Sequence, residues 1–74
     1  MTRVLHLLKG DDTELLLTVL AQQQAAGDEL TLIRLPGAVT ITPPAGVTVL
    51  RAPEDLSYEA LLERIFQADQ VITW

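Results

Sequence analysis

The 74-residue chain contains no cysteine, and this absence excludes a whole group of chemistries. Without a thiol the protein forms no disulfide, carries no persulfide, and has neither a cysteine nucleophile nor a thiolate ligand for a metal. A domain of this size buries only about 60% of its unfolded surface, and small domains usually gain further stability from disulfides, metals or partner subunits. Because 49% of the residues are hydrophobic, we expect oligomeric assembly.

Positive charge is also scarce, with five basic residues against ten acidic ones and a formal net charge of −5. The basic residues are scattered along the chain: Arg3, Lys9, Arg34, Arg51 and Arg64. Such a chain repels a phosphate backbone, so direct binding of nucleic acid is not expected. No apolar run approaches the ~20 residues that span a bilayer, and the first residues lack the apolar core and cleavage site of a signal peptide. We therefore expect a cytoplasmic protein with no membrane partner.

Apolar runs separated by turn residues predict a mainly parallel sheet. Residues 4–8 (VLHLL) form a compact apolar run, typical of a strand that is buried on both faces. Residues 30–35 form a second strand, and the spacing between the two runs predicts a right-handed helical crossover. Residues 39–42 and 47–50 both alternate and could pair as a hairpin. We favour the interpretation in which only residues 47–52 join the sheet.

Two amphipathic segments predict the helices. Asp11 can cap the first helix, with Glu14 completing a capping box, and Gly27 can end it in a left-handed conformation. Residues 22–24 lie towards the wetter end of this helix. Its predicted apolar stripe consists of Leu15, Leu16, Val19 and Leu20. The second helix follows residues 53–55. Its predicted buried stripe consists of Tyr58, Leu61, Leu62, Ile65 and Phe66.

The chain closes with residues 71–74 (VITW), which are predicted to form a short last strand. No linker, repeat or low-complexity segment divides the sequence. Together the segments predict a single α/β domain over residues 1–74, with a small, mainly parallel sheet of about four strands and two helices.

Acidic residues gather at one edge of the predicted sheet. In an open parallel sheet, ligands bind beyond the carboxyl ends of the strands, where residues 9–12, 36–38 and 53–55 should meet. The acidic residues of these loops are Asp11, Asp12, Glu54 and Asp55. Their carboxylates could hold Mg²⁺, but acidic residues at helix starts are typically caps. No glycine-rich phosphate-binding motif is present, so the sequence assigns no cofactor-binding residue and no metal ligand.

Three side chains are worth considering for catalysis. His6 is the one histidine, but its place in an apolar strand favours a buried structural residue over an acid or base. Lys9 lies at a strand end and could bind an anion, although a solvated surface lysine is the simpler interpretation. Ser57 lacks the context of a nucleophile elbow and is better interpreted as a helix-start residue. No catalytic residue is assigned, and we expect that the protein is not an enzyme.

The three aromatic side chains are candidates for a subunit interface: Trp74, Tyr58 and Phe66. Trp74 has two compatible interpretations. It covers the core as the last strand docks, or it anchors an interface, where Trp is over-represented among the residues that carry the binding energy.

Several short motifs along the chain occur together in one family. Residues 4–8 are similar to an opening Leu-His strand. Residues 27–33 (GDELTLI), followed by residues 36–39 (PGAV), resemble a Gly-Asp strand with its Gly-Val turn. Residues 57–62 and 70–74 resemble a closing helix and a terminal strand that ends in Trp. In these motifs the chain resembles the DsrH/TusB-like family, the small subunits of the DsrE–DsrF–DsrH type of sulfur-relay complex.

The chain is shorter than members of that family. Residues 54–56 (EDL) resemble the motif after the family's third strand, but here they run straight into residues 57–62. The helix and strand that separate these two motifs in the family are missing. Residues 40–46, with two prolines, also replace a segment that is often helical in the family. One strand of the family's usual sheet is therefore expected to be absent.

The resemblance implies a DsrE/F/H-like, flavodoxin-like topology and a place in an assembly. In such complexes a persulfide travels on a cysteine of the DsrE-like subunit towards 2-thiouridine in tRNA or towards sulfur oxidation. The DsrH-like subunit packs against its siblings. Since this chain lacks cysteine, the resemblance implies a non-catalytic structural subunit with DsrE-like and DsrF-like partners, or a homo-oligomer. The alternative is a small acidic metal- or ligand-binding α/β module that forms a homo-oligomer.

Overall fold

A computed structural model describes residues 2–10 and 13–74 as a four-stranded sheet with two helices. In chain order the elements are β1 (Arg3–Leu8), α1 (Thr13–Ala25), β2 (Glu29–Arg34), β3 (Thr48–Arg51), α2 (Tyr58–Gln67) and β4 (Gln70–Thr73). The strand order across the sheet is β3-β2-β1-β4, and each neighbouring pair is parallel. The predicted α/β class is confirmed.

β1 lies inside the sheet, paired with β2 along its whole length and with β4 along most of it. Side chains alternate along a strand, so β1 supplies both faces of the sheet. Val4, Leu5, His6 and Leu8 are all buried. This confirms the prediction that residues 4–8 form a strand covered on both faces.

α1 covers one face of the sheet. The α1-side core consists of Val4, Leu8, Leu16, Leu20, Leu30 and Leu32. The prediction for Leu15 is wrong, because its side chain is 54% exposed. The line of α1 that meets the sheet passes through Leu16, Leu20 and Gln23, at helical positions i, i+4 and i+7. Gln23 therefore lies on the inner side of the helix and not, as predicted, towards its wetter end.

Gly27 closes the carboxyl end of α1. Its N–H donates to the Gln24 carbonyl at 3.0 Å, and the Asp28 N–H donates to the Gln23 carbonyl at 3.1 Å. This pair of bonds is a Schellman motif, which requires a left-handed residue, and Gly27 has a φ of 86°. The predicted end of the helix is confirmed. The predicted cap, Asp11, lies outside the described residues.

Residues 35–47 connect β2 to β3 without forming a strand, which confirms the interpretation that we favoured. Ala38, Ile41 and Val47 pack against the α1-side core. Arg34 anchors the segment by donating from Nη2 to the Thr40 hydroxyl at 3.1 Å. The connection therefore covers part of the same face as α1.

α2 covers the opposite face. Ser57 caps the helix, and its hydroxyl accepts a hydrogen bond from the Ala60 N–H at 3.2 Å, so the helix-start interpretation is confirmed. The α2-side core consists of Leu5, Ile33, Ala52, Leu56 and Leu61. β4 follows the helix one residue earlier than predicted and ends at Thr73.

The predicted buried stripe of α2 is wrong for three of its five residues. Leu61 is only 8% exposed and Ile65 packs partly against the core. Tyr58, Leu62 and Phe66 are 54, 55 and 85% exposed. These three lie at i, i+4 and i+8 and so share one flank of the helix. α2 therefore meets the sheet through the line of Leu61 and Ile65, and this flank stays in solvent.

Substitution of two neighbouring leucines tests this division of α2. Leu61→Ala should lower the free energy of unfolding by about 2 kcal/mol or more, because it opens a cavity in the α2-side core. Leu62→Ala should change it by less than about 0.5 kcal/mol, since the side chain is largely in solvent. Both variants make the same change on the same helix. Urea unfolding at low protein concentration measures the difference, and equal losses would contradict the structure.

Candidate functional site

The most unusual buried group is the imidazole of His6. It is fully buried in the middle of β1, on the face that α1 covers, and it is the one buried polar side chain of the described core. A buried polar group is costly unless its hydrogen bonds are satisfied. His6 Nε2 lies 2.7 Å from Gln23 Oε1 on α1. Trp74 Nε1 lies 2.9 Å from His6 Nδ1.

These two bonds define the protonation of the ring. The indole N–H of Trp74 can only donate, so His6 Nδ1 must be the acceptor and carries no proton. Nε2 therefore carries the proton and donates it to the Gln23 amide oxygen. Desolvation by burial lowers the pKa of His6 below the ordinary 6.5, and the bond to Gln23 opposes this only in part. We call His6, Gln23 and Trp74 the His6 clasp.

Trp74 is held by its backbone as well as by its ring. Its N–H donates to the Leu7 carbonyl at 2.8 Å, and its carbonyl accepts from the Lys9 N–H at 3.3 Å. The indole packs against the α1-side core, with its ring centroid 6.1 Å from that of His6 and the two planes 20° apart. The interpretation of Trp74 as a cover of the core is confirmed. Because the clasp joins β1, α1 and the end of β4, it links elements far apart in the sequence.

The acidic edge of the sheet shows a different arrangement from a metal site. Asp55 accepts hydrogen bonds from the Arg51 backbone N–H at 3.0 Å and from its side-chain Nε at 3.1 Å. These bonds hold the pKa of the Asp55 carboxyl below its ordinary value. Glu54 and Lys9 are exposed. Across residues 2–10 and 13–74 there is no group of three or more His, Asp or Glu placed to hold a metal ion. Asp11 and Asp12 lie outside the described residues.

A cavity of about 460 Å³ lies at the opposite edge of the sheet, between the amino ends of β1 and β2 and the inner side of α2. Its charged walls include Arg3, Glu29, Glu63 and Arg64. Arg3 and Glu29 already pair with each other, 3.5 Å apart and largely exposed. Mixed charges on exposed side chains select no particular ligand. The sequence did not predict this cavity, because its walls come from segments that no shared motif connects.

The predicted interface residues Tyr58 and Phe66 both lie on the exposed flank of α2. The opposite flank, with Ala60 and Gln67, lines the cavity over β2. Since β2 and β4 lie on opposite sides of β1, the exposed flank must face β4. There Val71, on the same face of the sheet, is 39% exposed. We call Tyr58, Leu62, Phe66 and Val71 the α2–β4 surface.

Comparison of the chain with protein-family models, curated proteins and solved structures finds no match. In the part of the chain that the structure describes, neither helix has the length and apolar character needed to cross a membrane.

The clasp predicts a sharp difference between two adjacent glutamines of α1. Gln23→Ala leaves the buried Nε2–H of His6 without an acceptor and should lower the free energy of unfolding by about 1–3 kcal/mol. Gln22→Ala, at an exposed position on the same helix, should leave it within about 0.5 kcal/mol of the parent. Urea unfolding of both variants at neutral pH makes the comparison. A Gln23→Ala variant as stable as the control would show that the hydrogen bond between His6 and Gln23 does not contribute to the free energy of unfolding.

The lowered pKa of His6 also predicts how stability depends on pH. Below about pH 6.5 the unfolded chain takes up a proton on His6 that the folded chain, with its lower pKa, does not. Stability should therefore be constant above pH 7 and fall as the pH drops through 6.5, by at most about 1.4 kcal/mol per unit for one proton. Trp74→Phe removes the donor that opposes protonation of Nδ1, so the slope should become shallower. Unfolding curves between about pH 5 and 8 measure this, and a rise in stability towards acid would contradict it.

Proposed function

We propose that this protein is a non-catalytic structural subunit of a cytoplasmic sulfur-relay complex, in the manner of the DsrH/TusB-like family that its sequence resembles. The observation that carries the proposal is the exposure of large apolar side chains on both helical layers. Tyr58, Leu62 and Phe66 lie on α2, and Leu15 lies on α1 across the sheet. A subunit packed between siblings needs apolar surface on more than one face.

Two residues from separate motifs of the resemblance also touch each other. His6 belongs to the Leu-His strand, Trp74 is the closing residue of the terminal motif, and a hydrogen bond of 2.9 Å joins them. The Leu-His strand and the terminal motif therefore share one structural role, the hydrogen bond between His6 and Trp74, which gives a physical reason for both to be present. The clasp thereby supports the proposal that the chain shares the family's framework.

The chemistry of the chain suits a supporting role. A persulfide relay moves sulfur from one cysteine to another, and this chain has no cysteine to receive it. Both nitrogens of its one histidine are engaged in hydrogen bonds inside the core. In this proposal the sulfur stays on DsrE-like and carrier partners, and this subunit contributes shape and surface to the complex that thiolates tRNA or oxidises sulfur.

Co-expression with DsrE-like and DsrF-like proteins of the same genome tests the proposal. The chain should co-elute with them in size-exclusion chromatography as one complex. Leu15→Glu, which places a charge on the exposed apolar side of α1, should weaken co-elution, whereas Ala21→Glu at another exposed position of that helix should not. If the chain elutes without the partners at every ratio tested, the sulfur-relay proposal is wrong.

A further inference from the structure

β4 presents an unprotected edge. It is the outer strand of the sheet beside β1 in the part of the chain that the structure describes. Native edge strands are usually blocked by charges, proline or a bulge, because their free peptide groups pair readily with another strand. The four residues of β4 (QVIT) contain no charge and no proline. The adjoining α2–β4 surface is apolar and exposed as well.

The direction of the free peptide groups follows from the backbone bonds of Trp74. Its N–H donates to Leu7 of β1, and its carbonyl accepts from Lys9, the residue that follows β1. Peptide groups alternate along a strand, so those of Ile72 also face β1, and those of Val71 and Thr73 point away from the sheet. An incoming strand therefore finds its donors and acceptors on Val71 and Thr73.

From this geometry we propose that β4 pairs with β4 of a second copy of this chain, antiparallel and about a two-fold axis that passes Ile72. Val71 of each copy then exchanges both peptide hydrogen bonds with Thr73 of the other, and the two sheets join into one. On one side of the joined sheet the exposed flanks of the two α2 helices meet across the axis, with Phe66 and Leu62 in contact. This inference is independent of the sulfur-relay proposal.

Charge favours a second copy as the occupant of the β4 edge. The chain carries a net charge of −5, so two copies can approach closely only where their surfaces carry no charge. The four residues of β4 are all uncharged, so paired β4 strands bring no like charges together. A charged partner strand finds nothing to pair with at this edge, whereas a second copy presents the same uncharged strand. The exposed Glu59 lies beside the α2–β4 surface, three residues before Leu62.

A stable interface buries ~800 Å² on each partner, which is under about a fifth of the 4525 Å² accessible surface of the chain. In the proposed dimer, the paired peptide groups of β4 and the apolar contacts of α2 both contribute to that area.

Sedimentation of the isolated full chain tests the dimer directly. At micromolar concentrations the mass should approach twice 8.1 kDa and decrease on dilution. Phe66→Glu should raise the dissociation constant about tenfold or more, because it brings two charges together across the axis. Gln67→Glu adds the same charge on the opposite flank of α2 and should leave the dissociation constant within about threefold of the parent. Circular dichroism checks that both variants remain folded.

A cysteine placed on the axis tests the register. The pair at Ile72 is expected to bring its two Cα atoms to ~4.5 Å, within the range that a disulfide bridges. Because the chain has no other cysteine, Ile72→Cys should form a covalent dimer under mild oxidation at least about tenfold faster than Thr48→Cys on the exposed opposite edge strand.

Three results would overturn the inference: a monomer at all concentrations, equal cross-linking of the two cysteine variants, or a dimer unaffected by Phe66→Glu. A monomer that nevertheless co-elutes with DsrE-like and DsrF-like proteins would refute the second copy as the occupant while leaving the sulfur-relay proposal standing. A dimer that ignores those proteins would do the reverse.

Discussion

The hydrogen bonds of the buried His6 imidazole hold α1 and the end of β4 against the central strand β1. β4 pairs only with β1, over four residues, and it follows α2 in the chain. So short an edge strand is weak by itself. The clasp adds a side-chain hydrogen bond from Trp74 to His6 at the centre of β1. Gln23 on α1 accepts the other hydrogen bond of the His6 ring. Edge strand, central strand and helix are thus fastened at one point.

The clasp also explains why a histidine is found in an apolar strand. A hydrocarbon at position 6 would pack but would bond neither the indole nor the amide. The neutral imidazole has one donor and one acceptor, and each meets a partner of the opposite kind. Satisfied buried polar groups of this sort specify one arrangement of their neighbours more strictly than apolar packing does.

Local signals in the sequence were sufficient for most of the fold. The apolar run at β1, the glycine that closes α1 and the serine that caps α2 each act over a few residues, and each was interpreted correctly. The exposed flank of α2 was not, because periodicity shows which residues are apolar but not which of two adjacent apolar lines meets the sheet. Gln23 was missed for a related reason. Its spacing of seven from Leu16 places it on the inner line of α1. A polar side chain is nevertheless expected in solvent unless a buried polar partner lies opposite, and that partner is His6.

Two apolar surfaces give the molecule its proposed roles. The α2–β4 surface is continuous with a free strand edge and is suited to a second copy of the chain. Leu15 lies on the other layer, where siblings of a larger assembly could pack without competing for that edge. An assembly built in this way would contain two copies of this subunit about one axis, with its reactive cysteines supplied by other chains.

Nitrogen-15 NMR of the His6 ring tests the central claim most directly, because the two nitrogens report their protons separately. At about pH 7, the hydrogen bonds of the clasp predict a neutral ring with the proton on Nε2 and none on Nδ1. A ring that is protonated on both nitrogens at that pH, or that carries its proton on Nδ1, would contradict it.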